Sequence, residues 1–347
     1  MVNTYFLGDI SLNDNYRILE YNPFDEISKE FISKDFIIGN LESISKGNQG
    51  ENVLKKPRLT TDTKTLNFLS DIKLDVACLA QNHVFDHLED GFNQTVKSLE
   101  KQNINYFGAG NYSNYKTDFI IQKNDIKIGL LNYVTLDTNP GVPENSEIKV
   151  NVFDIENVKN KIKDLKNKVD HIVIVLHWGG KVEGGSYPDL NQPKIAKALI
   201  DSGGDLIIGH HSHTIQPFEI YKGKHIYYSL GNFCFDNIQF EGKLYPLSPT
   251  RKKGLVLNVK FSKGEYKIQH LFIKNDNLSI VKNEKGDKEY KNLIKKYNLF
   301  FRYQIFWKLY FFNLKKVKPF TFFIQRKDIT FSNKIKRILR FILKKIK

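Results

Sequence analysis

Five apolar runs of the sequence each end at side chains that can bind a metal ion or move a proton. The five endings are Asp9, Asn40-Leu41-Glu42, Asn82-His83, His177 and the cluster His210-His211-Ser212-His213. In an open α/β sheet, the carboxyl ends of the strands line the crevice where ligands bind. Carboxylate, amide and imidazole donors suit Zn²⁺, Mn²⁺ or Fe, and the lack of thiolates disfavours a structural zinc site. The sequence therefore predicts a divalent-metal site at these strand ends.

Each ending also has a simpler interpretation. Asp9 can be the N-cap of a following helix, and Asn82 with His83 can belong to a turn. A histidine at a strand end is often a core residue with a satisfied hydrogen bond. The histidine cluster favours a metal more strongly, because neighbouring imidazoles repel one another or lose basicity without a partner. On an extended loop, His211 and His213 would point the same way, toward one ligand.

The elements that must position these residues alternate between apolar runs and helix-like stretches. The helix-like stretches are 91–101, 155–168 and 192–202. This alternation is typical of an α/β fold whose strands are buried on both faces. Segments 119–131 and 254–273 are predicted to be β-hairpins, the first with its turn near Asn124-Asp125. Hairpins added to a mixed sheet predict two sheets packed together, with helices outside.

The composition excludes several classes of protein. Of the 347 residues, 41% are hydrophobic and 13% aromatic, which excludes a disordered chain. Cys78 and Cys234 are too few for a disulfide framework and are predicted to be buried thiols. No signal peptide is visible at the N-terminus, and no stretch reaches the ~20 apolar residues of a membrane-spanning helix. We therefore expect a cytoplasmic protein.

The basic charge belongs to the C-terminal part of the chain. The net charge is +15, and residues 284–347 account for all of it, with 19 Lys or Arg against 4 Asp or Glu. The remaining residues are neutral overall, which excludes a basic groove running through the whole protein. The composition becomes polar near 275–288. We therefore predict a domain over 1–280 and a basic, aromatic-rich helical tail over 281–347.

Two segments of the tail have patterns of their own. Residues 332–347 form an amphipathic pattern with a Lys/Arg-rich polar face, and residues 297–323 contain 12 aromatic residues. Aromatic residues beside cations fit the surface of an anionic membrane. The same pattern also fits a helical appendage packed on the domain, or nucleic-acid binding, in which bases stack on aromatic rings. We favour the membrane surface, which would place the protein at the inner face of the membrane, and consider nucleic acid the least suitable partner.

Several motifs together make the sequence similar to a known family. They are GD at 8–9, GNLES at 39–43, QNHVFDHLEDG at 81–91, YFGAG at 106–110, HWGG at 177–180, and the segment 205–236 containing HHSH and YSLGNF. Over about residues 3–275 the chain resembles the capsule and poly-γ-glutamate synthesis family known as CapA, within the calcineurin-like metallophosphoesterase superfamily. The resemblance implies a four-layer α/β/β/α sandwich with a site for one or two divalent ions (Mn, Fe or Zn) at the strand ends.

The resemblance also implies roles for individual residues. The implied metal ligands are Asp9, Glu42 in place of a bridging aspartate, Asn82, His177, His211 and His213. His83 would be the proton donor beside the leaving group, with Asp86 placed to orient it. The candidate substrate-binding residues are His210, Trp178, which could stack on a sugar or simply shape its loop, and Ser229 and Asn232, which could instead form only a turn.

One position departs from the superfamily pattern. A histidine usually follows the first aspartate by two residues, but this chain has Ser11 there. Asn13 or water could take the place of that histidine. The departure weakens the case for ordinary phosphoesterase chemistry, although CapA relatives generally share it.

The function expected from this resemblance is a metal-dependent hydrolase-type step in capsule or exopolymer production. Its substrate would be an anionic polymer or a phosphorylated precursor, and its partners other synthesis proteins. Two other functions remain open: a non-catalytic assembly or export component, and a general phosphodiesterase or nucleotidase. Ser11 favours the assembly component, whereas His83 beside Asn82 favours catalysis, because an assembly component needs no proton donor.

Overall fold

The computed structural model describes residues 1–301 and 304–317, and the chain divides into two compact units, Met1–Ile294 and Lys295–Lys347. The strands are β1 (Val2–Ile10), β2 (Phe36–Leu41), β3 (Val76–Cys78), β4 (Asn105–Phe107), β5 (Ala109–Asn111), β6 (Asp118–Lys123), β7 (Ile126–Val134), β8 (Ile148–Val150), β9 (His171–His177), β10 (Leu206–His210), β11 (Phe218–Tyr221), β12 (Lys224–Tyr227), β13 (Asn232–Cys234), β14 (Ile238–Phe240), β15 (Lys243–Tyr245), β16 (Lys253–Ser262), β17 (Glu265–Asp276) and β18 (Ser279–Lys282). The α-helices are α1 (Phe68–Asp71), α2 (Leu88–Lys101), α3 (Ile155–Lys166), α4 (Gln192–Asp201), α5 (Gly286–Phe301) and α6 (Gln304–Phe312).

Eight strands form the larger sheet of the first unit. Their order is β18-β17-β16-β1-β2-β3-β4, and β13 pairs with β1 beside this row. Strands β1 to β4 are parallel, whereas β16, β17 and β18 form an antiparallel meander. The hairpin predicted over 254–273 is confirmed as β16 and β17.

Six strands form the smaller sheet, in the order β11-β12-β10-β9-β7-β6. The four central strands are parallel, and an antiparallel strand closes each edge. The edge hairpin of β6 and β7 confirms the hairpin predicted over 119–131, since its turn lies at Asn124-Asp125. Strand β9 is buried along its whole length, as expected for a parallel strand covered on both faces.

The two sheets pack face to face. Phe6 and Ile38 of the larger sheet share one buried cluster with Val173 and Ile208 of the smaller sheet. Burying each such side chain stabilises the fold by about 1.5–3 kcal/mol. Helix α2 packs on the outer face of the larger sheet, and α3 packs against the smaller sheet. The predicted four-layer α/β/β/α sandwich is therefore confirmed.

The domain end and the tail were also predicted from the sequence. Strand β18 belongs to the larger sheet, and α5 then begins at Gly286 and places Tyr290 in the buried core. The compact first unit thus runs to Ile294, somewhat beyond the predicted end at residue 280. The amphipathic segment 332–347 lies outside the described residues. Among the described helices, none has the length and hydrophobicity needed to cross a bilayer.

Candidate metal centre

Three predicted ligands from three strands meet at one edge of the sandwich. Asp9 lies near the end of β1, Glu42 directly follows β2, and His177 ends β9. One ligand atom from each residue lies within 4.8 Å of the others, and all three side chains are fully buried. Gly8 contributes to this placement, because a Cβ there would come within 2.2 Å of the Gly231 carbonyl oxygen and push β13 away from β1.

Two further predicted ligands surround the imidazole of His177. Its Nε2 lies 2.8 Å from Asn82 Oδ1 and 3.0 Å from His211 Nδ1. Burial and the neighbouring His211 hold the pKa of His177 well below its usual range, so the ring is neutral. Burial likewise lowers the pKa of His211 to about 4. Neutral imidazole nitrogens and an amide oxygen are the atoms that a divalent cation accepts as ligands.

The sixth predicted ligand, His213, faces the carboxylates. Its Nδ1 lies 3.3 Å from Asp9 Oδ2, and its Nε2 lies 3.9 Å from Glu42 Oε2. The sequence analysis assumed that this loop is extended, but it is not, because His211 and His213 have φ angles of +91° and +56°. Left-handed backbone at non-glycine residues is strained and tends to occur at functional sites. Here the tight turn brings both imidazoles to the same site.

The electrostatics of the site favour a bound cation. Burial, together with the negative charge of Asp9, raises the pKa of Glu42 well above its usual range. Glu42 Oε2 is buried and has no hydrogen-bond partner among the described residues. A buried carboxylate oxygen without a partner is costly unless it is protonated or bound to a cation. The donor set therefore fits a divalent metal ion, with Asp9, Glu42, Asn82, His177, His211 and His213 as the residues that would hold it.

Asn40 also belongs to this site, and the sequence analysis did not assign it a role. Its Nδ2 lies 3.0 Å from Asp9 Oδ1, 3.4 Å from Glu42 Oε1 and 3.3 Å from His177 Nδ1. It thus fixes three candidate ligands at once. The available signal was its position on β2, two residues before Glu42, because residues i and i+2 of an extended chain share a face.

His83 and Asp86 form a hydrogen-bonded pair beside the candidate metal ligands. His83 Nδ1 donates a hydrogen bond of 2.6 Å to Asp86 Oδ2, which also accepts the backbone N–H of Leu59 at 2.8 Å. Because Nδ1 is held by the carboxylate, Nε2 is the nitrogen available to a substrate. His83 lines a cleft together with three of the candidate ligands, Asn82, His211 and His213, so its imidazole and these ligands face the same space.

Other charged residues of the cleft were not assigned by the sequence analysis. Lys55 and Arg251 both line it, and neither belongs to a recognisable motif. Glu183 also lines the cleft, and its Oε1 lies 3.0 Å from Arg251 Nη2. Burial opposes the charge of Glu183, but His213 and Arg251 outweigh it and lower its pKa to about 2.

The comparison with protein families agrees with this geometry. A family model described as "Bacterial capsule synthesis protein PGA_cap" matches residues 3–237. The chain belongs to this family. The matched segment includes all six candidate metal ligands and the His83–Asp86 pair.

Two curated relatives carry related names. The "PGA biosynthesis protein CapA" of Bacillus subtilis is 30% identical over 244 residues, which are 68% of this chain and 64% of that protein. The "Capsule biosynthesis protein CapA" of Bacillus anthracis is 28% identical over 221 residues, covering 61% of this chain and 53% of that protein. The chain thus spans less than two thirds of the length of either relative.

Two solved structures are also similar to the chain. A novel phosphatase of Mycoplasma pneumoniae is 14% identical with a TM-score of 0.49, covering 80% of this chain and 95% of that one. A putative 5'-nucleotidase of Staphylococcus aureus is 14% identical with a TM-score of 0.48, covering 85% of this chain and 58% of that one.

In this PGA_cap protein, the four candidate substrate-binding residues lie behind the cleft surface rather than on it. Trp178 is 1% exposed and donates its indole N–H to the Tyr228 carbonyl at 3.0 Å, which leaves no ring face for a sugar. Ser229 is fully buried and its hydroxyl accepts the Gly231 N–H at 3.1 Å. Because both side chains are buried, their placement argues against direct contact with a substrate. The sequence motif does not show which of its residues are buried.

The other two candidate substrate-binding residues, His210 and Asn232, contact candidate metal ligands. His210 Nδ1 lies 2.8 Å from Asp9 Oδ1, and Asn232 Oδ1 lies 3.0 Å from His213 Nδ1. His210 therefore orients Asp9, and Asn232 orients His213. Hydrogen bonds of this kind commonly adjust the affinity of a site for its metal.

Asn13 does not replace the histidine that the superfamily has at the position of Ser11. The Ser11 hydroxyl donates to Asn13 Oδ1 at 2.8 Å, and Asn13 Nδ2 donates to Asp14 Oδ2 at 2.8 Å. The Asn13 amide is thus engaged with its own neighbours in the chain. Its placement does not match the ligand role considered in the sequence analysis.

Proposed function

We propose that this protein carries out a metal-dependent, hydrolase-type step in the production of a poly-γ-glutamate-type capsule or exopolymer. Its substrate is an anionic polymer or a phosphorylated precursor of one. The observation that carries this proposal is that His83, held by Asp86, lines one cleft with the candidate ligands Asn82 and His211. These two ligands lie 2.8 Å and 3.0 Å from His177 of the buried Asp9–Glu42–His177 cluster. The names of the curated relatives support the biological setting.

The chemistry divides between a cation and the protein. A bound divalent cation supplies Lewis acidity and lowers the pKa of water. The Asp86 carboxylate accepts the Nδ1–H of His83 and stabilises its imidazolium form, and it is this form whose Nε2–H would be transferred to the leaving oxygen. His83 is 6% exposed, and this burial limits the access of competing water to its imidazole.

A non-catalytic role in assembly or export is the second candidate function. The observation that favours it is Ser11, whose hydroxyl is bonded to Asn13 where relatives in the wider superfamily have a histidine. A cation could then stabilise the fold without turnover. A general phosphodiesterase or nucleotidase is a third outcome that the same experiment separates.

The test combines metal analysis with turnover of bis-p-nitrophenyl phosphate. We expect the purified chain to contain one or two divalent ions and to hydrolyse this substrate. His83→Ala should keep its metal and lose about 10²–10⁴-fold in turnover, the usual contribution of a general acid. His225→Ala, which removes an imidazole from β12, is the matched control and should retain activity.

Three other results would redirect the proposal. Metal without turnover, unchanged by His83→Ala, indicates the assembly role. A marked preference for nucleotides over γ-glutamyl or phosphorylated polymer precursors indicates a nucleotidase. A chain that binds no divalent ion contradicts the proposal altogether.

We also propose that the tail attaches the protein to an anionic membrane surface. The support is the sequence pattern of residues 332–347, in which each cation near anionic lipid contributes about 1 kcal/mol. The test is flotation of the full chain with phosphatidylserine-containing vesicles and with neutral vesicles. A matched variant replaces five cations by Gln: Lys336, Arg337, Arg340, Lys344 and Lys345. We expect only the unmodified chain to float with anionic vesicles; equal flotation, or none for either, contradicts the idea.

A further inference from the structure

The loop over residues 51–59 is tied to the segment that carries His83 and Asp86. Asn52 donates its backbone N–H to the Asp86 carbonyl at 2.9 Å, and Leu59 donates its own to Asp86 Oδ2 at 2.8 Å. These bonds hold both ends of the loop against Asp86, which itself orients His83. A residue in the middle of the loop therefore has a defined position relative to the reacting nitrogen of His83.

Lys55 occupies that middle position and lines the cleft. It is only 4% exposed, and its ammonium group donates a hydrogen bond to the carbonyl of Asn139 across the cleft. Gly141 leaves room for its stem, because a Cβ there would come within 2.8 Å of Lys55 Cδ. The lysine is thus built into the cleft wall and does not extend freely from the surface.

The charge of Lys55 is not neutralised by a direct partner. In the part of the chain that the structure describes, no carboxylate oxygen lies within 4.0 Å of its Nζ. A lysine ammonium has three donors, and the Asn139 carbonyl accepts one of them. Burial lowers the pKa of Lys55, while the more distant carboxylates of Asp86, Glu42 and Glu183 oppose that shift. Buried lysines are normally paired, so this one has capacity for an anion.

The neighbouring cations differ from Lys55 in this respect. Lys56 lies 2.9 Å from Glu241, and its side chain is 62% exposed. Arg58 lies 2.8 Å from Glu51, and Arg251 lies 3.0 Å from Glu183. Each of these three already has a carboxylate partner, whereas Lys55 has none among the residues that the structure describes.

We propose that Lys55 is a substrate-recognition residue that binds an oxyanion, a carboxylate or a phosphate, next to the group that reacts at His83. This inference rests on the proposed function for the reacting group, but the anion binding can be measured without turnover. A charge-assisted hydrogen bond from a buried ammonium is stronger than one at the surface. The substrate class is therefore one that carries a negative charge beside its scissile bond.

The test is calorimetric titration of the metal-loaded full chain with two probes. Inorganic phosphate represents a phosphorylated precursor, and γ-glutamyl-glutamate represents a carboxylate polymer. Lys55→Met removes the charge but keeps a long stem beside Gly141, and Lys56→Met makes the same change at the next residue. We expect Lys55→Met to weaken the affinity for one or both probes about tenfold or more. Lys56→Met should change these affinities less than about twofold. Lys55→Arg should restore part of the affinity.

Each outcome supports or overturns the inference. Weakening confined to phosphate identifies a phosphorylated precursor, and weakening confined to γ-glutamyl-glutamate identifies a carboxylate polymer. Unchanged affinity for both probes in Lys55→Met, or no binding of either probe by the unmodified chain, overturns it. If Lys55→Met does not fold, Lys55→Gln takes its place, since its amide can still donate to the Asn139 carbonyl.

The same variants separate this inference from the proposed function. Binding through Lys55 without any hydrolysis would leave the recognition role standing and remove the hydrolase. If the protein hydrolyses its substrate but Lys55→Met binds both probes as tightly as the unmodified chain does, the hydrolase function stands and the recognition role of Lys55 is removed.

Discussion

The candidate site has a floor and a rim that are built differently. The floor consists of Asp9, Glu42 and His177, which lie on or directly after strands and are fully buried. The rim consists of Lys55, His83 and Asp86, which lie in connecting segments. Hydrogen bonds to Asp86 hold these segments together, as with Leu59 N–H at 2.8 Å.

The difference indicates separate tasks for the two regions. Floor residues are positioned by the ladders of two sheets, which move little, and their charges are compensated only within the site. Rim residues depend on a few hydrogen bonds between connecting segments, and two of them, Lys55 and His83, line the cleft. We therefore expect floor substitutions to remove the cation, and rim substitutions to alter turnover or selectivity with the cation still bound.

The largest effect is expected from the floor. Glu42→Gln replaces a carboxylate whose Oε2 has no hydrogen-bond partner in the described part of the chain, so it should abolish metal binding and reduce turnover to background. Elemental analysis and thermal unfolding with and without added metal measure this. The matched control is Glu219→Gln. The Glu219 carboxylate does not belong to the floor, and its Oε1 lies 2.6 Å from Lys197 Nζ. Full metal content in Glu42→Gln would show that the floor does not bind the cation as described.

A smaller effect is expected from Asp86 on the rim. Asp86→Asn replaces the carboxylate oxygen that accepts from His83 Nδ1, so the imidazole loses its fixed tautomer and orientation. Turnover should fall by about 10–100-fold, typical for residues that orient a functional group, with metal content unchanged. Parallel loss of metal would erase the distinction between floor and rim. Asp205→Asn serves as the control, because Asp205 directly precedes β10, at the end of the strand opposite to His210, and pairs with Lys224.

The smallest effect on activity is expected from Trp178, behind the floor. Trp178→Phe removes the indole N–H that donates to the Tyr228 carbonyl, which should cost about 1–3 kcal/mol of unfolding free energy. Because the ring is buried, affinity for a polymer should change little. Denaturant unfolding and polymer binding measure the two quantities. Weaker polymer binding at unchanged stability would instead support the stacking role considered from the sequence.

Much of the floor was predictable from sequence, and little of the rim was. Asp9 and His177 follow apolar runs, and parallel strands bring such endings to one edge of a sheet. Asn40 was within reach of the same argument, since it shares a strand face with Glu42. Lys55 was not, because its burial results from Gly141 and Asn139, more than eighty residues away in the chain. Trp178 lies within a family motif, yet its motif does not reveal that the ring faces the core.

The sequence by itself indicated the alternation of strands and helices, two packed sheets with helices outside, and the types of candidate ligand, because hydrophobic periodicity and strand endings are local properties of the chain. The tertiary structure decided which polar residues face the cleft and which face the core. It also decided which cations are already neutralised: Lys56 has Glu241 beside it, and Lys55 has no carboxylate within 4.0 Å among the described residues. Those distinctions depend on contacts between distant segments, and the energy of a buried charge depends on all of its neighbours at once.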